Sequence, residues 1–237
     1  MIAVVSSTVA PSALPSHDGA RTTLPPEVRL EQTQGTIASL RALGAREIIV
    51  ADNSAGPWLR DRAAALAPAR LLSFSQPPIR NKGIGEMWLL LGALEALPED
   101  EPILKISGRY RIGPGTGLRL RDGDEVAGKV YTHGRVRSLS TRCYLLRDRA
   151  VATRLWKRAL DEIYAEQARI HGPRSFLRIL RSSLWPGRDR LHYGDPTAAV
   201  ETAIYRAIRH LSLRLNEIEQ LDVEGILGSW TNPLVKE

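Results

Sequence analysis

The sequence predicts an α/β fold with a mostly parallel central sheet flanked by helices, and three observations carry that prediction. Short runs dominated by apolar residues recur at Ile2–Val5, Glu47–Ala51, Leu71–Phe74 and Ile103–Ile106. They are too brief for helices and lack the alternation of a strand with one wet face, so they read as strands buried on both sides. Between them lie stretches with helical character, and the resulting order, strand and helix in turn, is that of crossover connections and a parallel, Rossmann-like sheet. Three of the runs lead into small polar or charged residues, Ser6-Ser7-Thr8, Asp52-Asn53-Ser54 and Ser107-Gly108-Arg109. Ligands of open α/β sheets sit beyond the carboxyl ends of the strands, where these residues fall.

The first strand is followed by a loop rich in Pro, Ser and Thr over residues 10–26. From Glu27, Val28, Ile37, Leu40 and Leu43 keep near-helical spacing, and Gly44 supplies a stop. Asp52 after the second strand can accept hydrogen bonds from a ribose or base; an Asx turn explains it equally well. Leu59–Ala67 reads as a helix and Leu71–Phe74 as the third strand. Arg80–Ile112 is the stretch around which the rest is arranged. It holds the glycine-rich turn Asn81-Lys82-Gly83-Ile84-Gly85-Glu86, an apolar helix Met87–Leu97, and the strand Ile103–Ile106 running into a cationic cluster. The turn matches neither GxGxxG nor the P-loop spacing, and a tight turn entering a core helix accounts for its glycines as well as an anion cradle does. Lys105, Arg109 and Arg111 are the groups that favour an anionic ligand.

The second half reads as more open. Asp122-Gly123-Asp124 can hold a divalent ion on a diphosphate, but Asp-Gly is foremost a turn signal. Val126–Val130 and Ser138–Leu146 read as strands with Tyr131, His133, Arg135 and Arg137 between them. Ala150–Gln167 is an amphipathic helix with the stripe Leu155, Trp156, Leu160, Ile163 and Tyr164, and Arg174–Trp185 repeats that character with more charge. Ala198–Leu211 is a late helix with Thr197 as N-cap and Glu201 in its first turns. Leu221–Leu227 reads as a last strand before a polar tail.

With 237 residues, 43% hydrophobic and 25% charged, the chain fits one domain, 1–237, with a binding half (1–112) and a second half (113–237). A lone Cys143 excludes an intramolecular disulfide and a Cys-based zinc site. No run approaches a membrane span and no signal peptide is visible, so the expectation is a cytoplasmic protein. Net charge is +7, and eleven Arg and Lys stand against five Asp and Glu between Arg147 and Arg190. A basic segment (147–190) of this kind can meet an anionic membrane surface, although packing on the core is the commoner use. Nucleic acid is disfavoured, since aromatics amount to 5% and no DNA-binding motif is present.

Taken together, VVSST, RLEQTQGTIASLR, IIVADNS, NKGIGEM, ILKISGRYRI, HYGDPTAAVETAIYRAI and DVEGILGS resemble, in order, the elements of nucleotide-sugar-dependent glycosyltransferases of the GT-A fold. The likeness is to small bacterial enzymes of surface-polysaccharide assembly, including those of lipopolysaccharide, capsule and exopolysaccharide. It implies a nucleotide-sugar donor and a glycan or lipid-linked acceptor. Ser6, Ser7, Thr8, Asp52 and Asn53 would then hold the nucleotide, and Asn81, Lys82, Gly83, Glu86, Ser107, Gly108 and Arg111 would approach the donor. Such enzymes usually carry an Asp-x-Asp metal motif after the strand that here ends in Ser107-Gly108-Arg109, and this chain has no acid there. The expectation is therefore transfer without a required metal cofactor, with Lys105, Arg109 or Arg111 stabilising the diphosphate. Asp122 and Asp124 are the only nearby acidic pair for a divalent metal. In inverting members a carboxylate at the start of a late helix deprotonates the acceptor; Glu201 resembles it, with Asp195 as second choice. The alternatives are a nucleic-acid- or membrane-surface-binding protein and a non-catalytic nucleotide-binding relative.

Overall fold

A computed structural model describes residues 1–11, 24–75, 79, 81–169, 172–173, 176–177, 180, 199–226 and 234–237. The apolar runs form β1 (Ile2–Ser7), β2 (Glu47–Asp52), β3 (Arg70–Ser73) and β4 (Ile103–Ser107), all mutually parallel. After them come β5 (Tyr110–Ile112), β6 (Val126–His133), β7 (Val136–Leu146), β8 (Leu215–Ile218), β9 (Val223–Ile226) and β10 (Leu234–Lys236). The main sheet has the order β3-β2-β1-β4-β7-β6-β8; β7 runs antiparallel to both β4 and β6, and β8 parallel to β6. The first half is thus the parallel sheet that the sequence predicts, and the second half is the more open, largely antiparallel one. β10, β9 and β5 make a small antiparallel sheet beside it.

The helices that flank the sheet among the described residues include α1 (Pro26–Ala42), α2 (Lys82–Ala93), α3 (Arg149–Ala168) and α4 (Val200–His210). They sort onto two faces because successive strand residues point opposite ways. Ile2 and Val4 of β1 join a core built with Ile84, Met87, Trp156 and Ile204 of α2, α3 and α4. Ala3 and Val5 join a second core with Ile37 and Leu40 of α1 and Tyr110 of β5. Trp156 is fully buried, and its indole N–H donates to Tyr144 Oη at 2.9 Å, so neither polar atom is left unpaired. The chain leaves β1 toward β2 and β3 on one side, then returns through α2 to place β4 on the other side of β1. That reversal between β1 and β4 opens a crevice at their carboxyl ends.

Several elements differ from the sequence prediction. Leu59–Ala67 is not an α-helix but a 3₁₀ segment, Arg60–Leu66, broken at Arg62 (φ −115°, ψ 18°). Pro57 and Pro68 leave only ten residues between them, too few to repay helix nucleation. α2 starts at Lys82 rather than Met87, because Asn81 Oδ1 accepts from the N–H groups of Gly83 (2.9 Å) and Ile84 (3.2 Å). It ends earlier, at Ala93, in a 3₁₀ turn over Leu94–Ala96. β6 and β7 continue to a tight hairpin at Gly134, so Tyr131, His133 and Arg137 are strand residues. β5, β8 and β10 are three or four residues long, and such pieces carry no readable periodicity. Of Arg174–Trp185, Phe176, Leu177 and Leu180 are helical and exposed, while the other positions, like Thr197 and Asp195, lie outside the described residues.

Candidate active site

A cleft of about 370 Å³ occupies the crevice. Its floor comes from the ends of β1 and β4, one wall from α1, and the opposite wall from the first turns of α2. At the end of β1, Ser6 Oγ donates to Glu86 Oε1 at 3.0 Å, and Thr8 Oγ1 donates to Asn53 Oδ1 beyond β2. At the end of β4, the Gly108 carbonyl accepts from Thr33 Oγ1 of α1 at 3.1 Å. A Cβ on Gly108 would stand 3.2 Å from both Thr33 Oγ1 and Val5 Cγ1, which is why α1 can approach the strand so closely. Ser6, Ser7, Thr8, Asn53, Asn81, Lys82, Glu86, Ser107, Gly108 and Arg109 all line the cleft, so the structure brings ten of the expected site residues together.

Other expected residues stand elsewhere. Asp52 is fully buried, and its oxygens accept from the N–H groups of Val9 (3.0 Å) and Ser54 (2.7 Å). It ties the loops after β1 and β2 together and does not line the cleft. Lys105 has 0% exposure and does not line it either. Its ammonium donates to Glu86 Oε1, to the Thr141 carbonyl and to Ser107 Oγ (3.3 Å), so its charge is matched inside the protein rather than turned toward a ligand. Arg111, on β5, lies against α1 and does not line the cleft: a Cβ at Gly35 would come within 2.6 Å of its Nε. Gly83 serves packing, since its α-carbon faces Val200 of α4, whose Cβ a side chain would meet at 2.8 Å. The Asp122–Asp124 pair forms the turn that its Asp-Gly predicts. Asp124 Oδ2 accepts from Arg121 N at 2.9 Å, and Gly123 has φ +82°. No group of three or more His, Cys, Asp or Glu that could hold a metal ion occurs among the described residues.

Glu201 stands in the first turn of α4, where Thr141 Oγ1 donates to its Oε1 at 3.2 Å. The antiparallel register Ile106↔Cys143 carries Thr141 past the end of β4, so Glu201 stands on the β7 side of that end and, like Asp52 and Lys105, does not line the cleft. Cys143 beside it is inert: burial pushes its thiol up to about 12, against the opposing pull of Lys105.

Ser54, which the sequence places beyond β2, lines the cleft as well, and so do Arg29, Thr33 and Ser75, which the sequence reading did not single out as site residues. The Arg29 guanidinium is held down at about 10, first by desolvation and then by the like charge of Arg109, with Asp52 pulling the other way. Its Nε is buried and has no hydrogen-bond partner. The signal was present: Arg29 precedes Thr33, Thr36, Ile37 and Leu40 on the buried stripe of α1, an unusual place for a cation.

No protein-family model and no curated protein sequence matches the chain. Among solved structures, it is similar to a nucleoside-diphosphate-sugar pyrophosphorylase from Vibrio cholerae RC9, at 11% identity and TM-score 0.45, over 94% of each chain. It is similar to 4-diphosphocytidyl-2C-methyl-D-erythritol synthase from Anaerococcus prevotii DSM 20548, at 11% identity and TM-score 0.46, over 99% of this chain and 91% of that one. A third is the galactosyltransferase LgtC in complex with donor and acceptor sugar analogs, at 10% identity and TM-score 0.44, over 94% and 86%. Likeness at this level decides nothing about activity.

Proposed function

We propose that the protein is a glycosyltransferase that moves a sugar from a nucleotide-sugar donor to a hydroxyl of a glycan or lipid-linked acceptor. The observation that carries this reading is the division of one cleft into two chemistries. Arg29 and Arg109 bring positive charge from α1 and from beyond β4, while Ser6 and Glu86 offer a hydroxyl and a carboxylate from β1 and α2, where Lys82 adds a further cation. A nucleotide sugar has both complements, an anionic diphosphate and a hydroxyl-rich ring.

In this mechanism the donor sugar lies toward Glu86, whose orientation is fixed by Lys105 and Ser6. Glu201 takes the proton of the acceptor hydroxyl as that oxygen forms its bond to the anomeric carbon. The bond from that carbon to the phosphate oxygen breaks, and its electron pair leaves with the nucleoside diphosphate. This displacement inverts the anomeric centre. Exposed Phe176, Leu177 and Leu180 (50%, 60% and 42%) lie in a basic stretch of the sequence, which supports a lipid-linked acceptor met at the inner face of an anionic membrane.

The test is release of nucleoside diphosphate from a panel of sugar nucleotides, with wild-type protein and Glu201→Gln. Wild-type turnover on at least one donor is expected, with Glu201→Gln retaining donor binding while turnover falls at least a hundredfold. Unchanged turnover would return Glu201 to the role of a helix-start carboxylate.

A further inference from the structure

We propose that Arg29 and Arg109 form a clamp for a pyrophosphoryl group that works without a divalent metal, and that the ligand-free protein holds Arg29 there at the expense of its own stability. The inference depends on the glycosyltransferase reading only for naming the nucleoside diphosphate as the natural bearer of that group.

Both arginines line the cleft, Arg29 one turn before Thr33 in α1 and Arg109 next to Gly108, whose carbonyl accepts from Thr33 Oγ1. That contact pins α1 to the end of β4 and so fixes the spacing of the two cations. Arg109 also lies over the Tyr110 ring, 5.8 Å from its centroid, which restricts where its plane can point. Two like charges brought into one partly dry cleft repel, and a buried guanidinium nitrogen without an acceptor forfeits its hydration for nothing. The carboxylate that acts on Arg29 most, Asp52, already has both oxygens engaged by backbone N–H groups. Nothing in the fold of α1 requires a cation here, since a long apolar side chain would continue the stripe through Ile37 and Leu40. An arrangement that costs stability and serves no packing purpose is the mark of a binding site.

The missing partner is anionic and has several oxygens. One carboxylate can occupy one guanidinium fork, whereas pyrophosphate presents oxygens to both and carries enough charge to cancel both cations. In group transfer the same pair would receive the charge that develops on the leaving diphosphate, the task that a divalent ion performs elsewhere.

The experiment is thermal denaturation of the full chain, in EDTA and again with Mg²⁺, with and without inorganic pyrophosphate, for wild type, Arg29→Met, Arg29→Lys and Arg111→Met. Wild-type Tm should rise with pyrophosphate in EDTA. Arg29→Met should melt about 2–4 °C above wild type without ligand and should lose the pyrophosphate shift. Arg111→Met, changed outside the cleft, should match wild type in both respects. Arg29→Lys keeps the charge but loses the fork, and its half-saturating pyrophosphate concentration should rise at least tenfold. The clamp is overturned by Arg29→Met that melts below wild type with its shift intact, by a wild-type shift that appears only with Mg²⁺, or by no shift at millimolar pyrophosphate. A pyrophosphate shift in a protein that transfers no sugar would remove the glycosyltransferase reading and leave the clamp standing.

Discussion

Two charged pairs border the cleft, and they are built on opposite plans. Lys105 and Glu86 are unlike charges in contact, and the ammonium is completed by the Thr141 carbonyl and Ser107 Oγ. Arg29 and Arg109 are like charges, one with a buried donor that the protein leaves unpaired. The first pair is finished without a ligand; the second is not. The contrast separates a cation that holds the site together from cations that wait for something, a distinction that residue type alone does not carry. Breaking the two pairs should therefore have effects of opposite sign on stability.

The largest effect belongs to Lys105. Replacement by Met leaves the Glu86 carboxylate beside the core without its counter-charge, and losing one partner of a buried pair costs about 3–5 kcal/mol. A fall in Tm on the order of 10 °C is expected. Combining Lys105→Met with Glu86→Leu removes the stranded charge and should recover most of that loss, while donor binding disappears with the Glu86 carboxylate. A double variant no more stable than Lys105→Met would show that the pair is needed for more than charge balance.

Asp52 comes next. Ala in its place leaves the buried N–H groups of Val9 and Ser54 without an acceptor, at about 2–3 kcal/mol in all. Asn, which keeps one acceptor oxygen, should lose about half as much. Chemical denaturation with urea reads both. The comparison with Arg29→Met is direct: the two side chains are electrostatic neighbours, yet removing one should destabilise and removing the other should stabilise.

How far the sequence announced this site follows from what sequence patterns encode. Apolar runs and their polar ends are local properties, so β1, β2 and β4 and the lining residues Ser6, Asn53 and Arg109 could be read directly. The side on which a charged residue lies is set by strand parity and by what packs above it. Lys105 and Arg109 are four residues apart in one cationic cluster, yet Lys105 falls inside the strand and pairs with a helix 19 residues earlier, whereas Arg109 falls past the strand end. Asp52 likewise sits where nucleotide-binding acids sit, but backbone donors of two adjoining loops claim it first. β5, β8 and β10 escaped notice because they exist only through pairing with distant partners, such as Val126 opposite Leu215.

The smallest effect tests whether the contrast belongs to the cleft or to charged groups in general. Asp148 caps α3 in the other half of the molecule, its Oδ1 accepting from Val151 N at 2.8 Å and its Oδ2 from Arg147 Nε at 3.0 Å. Partial burial pushes this carboxyl up, but the bonds from Val151 and Arg147 outweigh it, so it ends below its ordinary value of 3.8. A depressed carboxyl binds its proton less readily in the folded protein than in the unfolded chain. The stability it contributes is thus complete above pH 3.8 and is lost as pH falls below that value. Asp148→Ala should cost about 1 kcal/mol at pH 7, and the gap to wild type should close in acid. Its response to pyrophosphate should equal that of wild type, because a cap satisfied within its own helix has nothing to offer a ligand. If Asp148→Ala altered the pyrophosphate shift as Arg29→Met is expected to, the shift would report global stability rather than a clamp, and the contrast between the two pairs would lose its meaning.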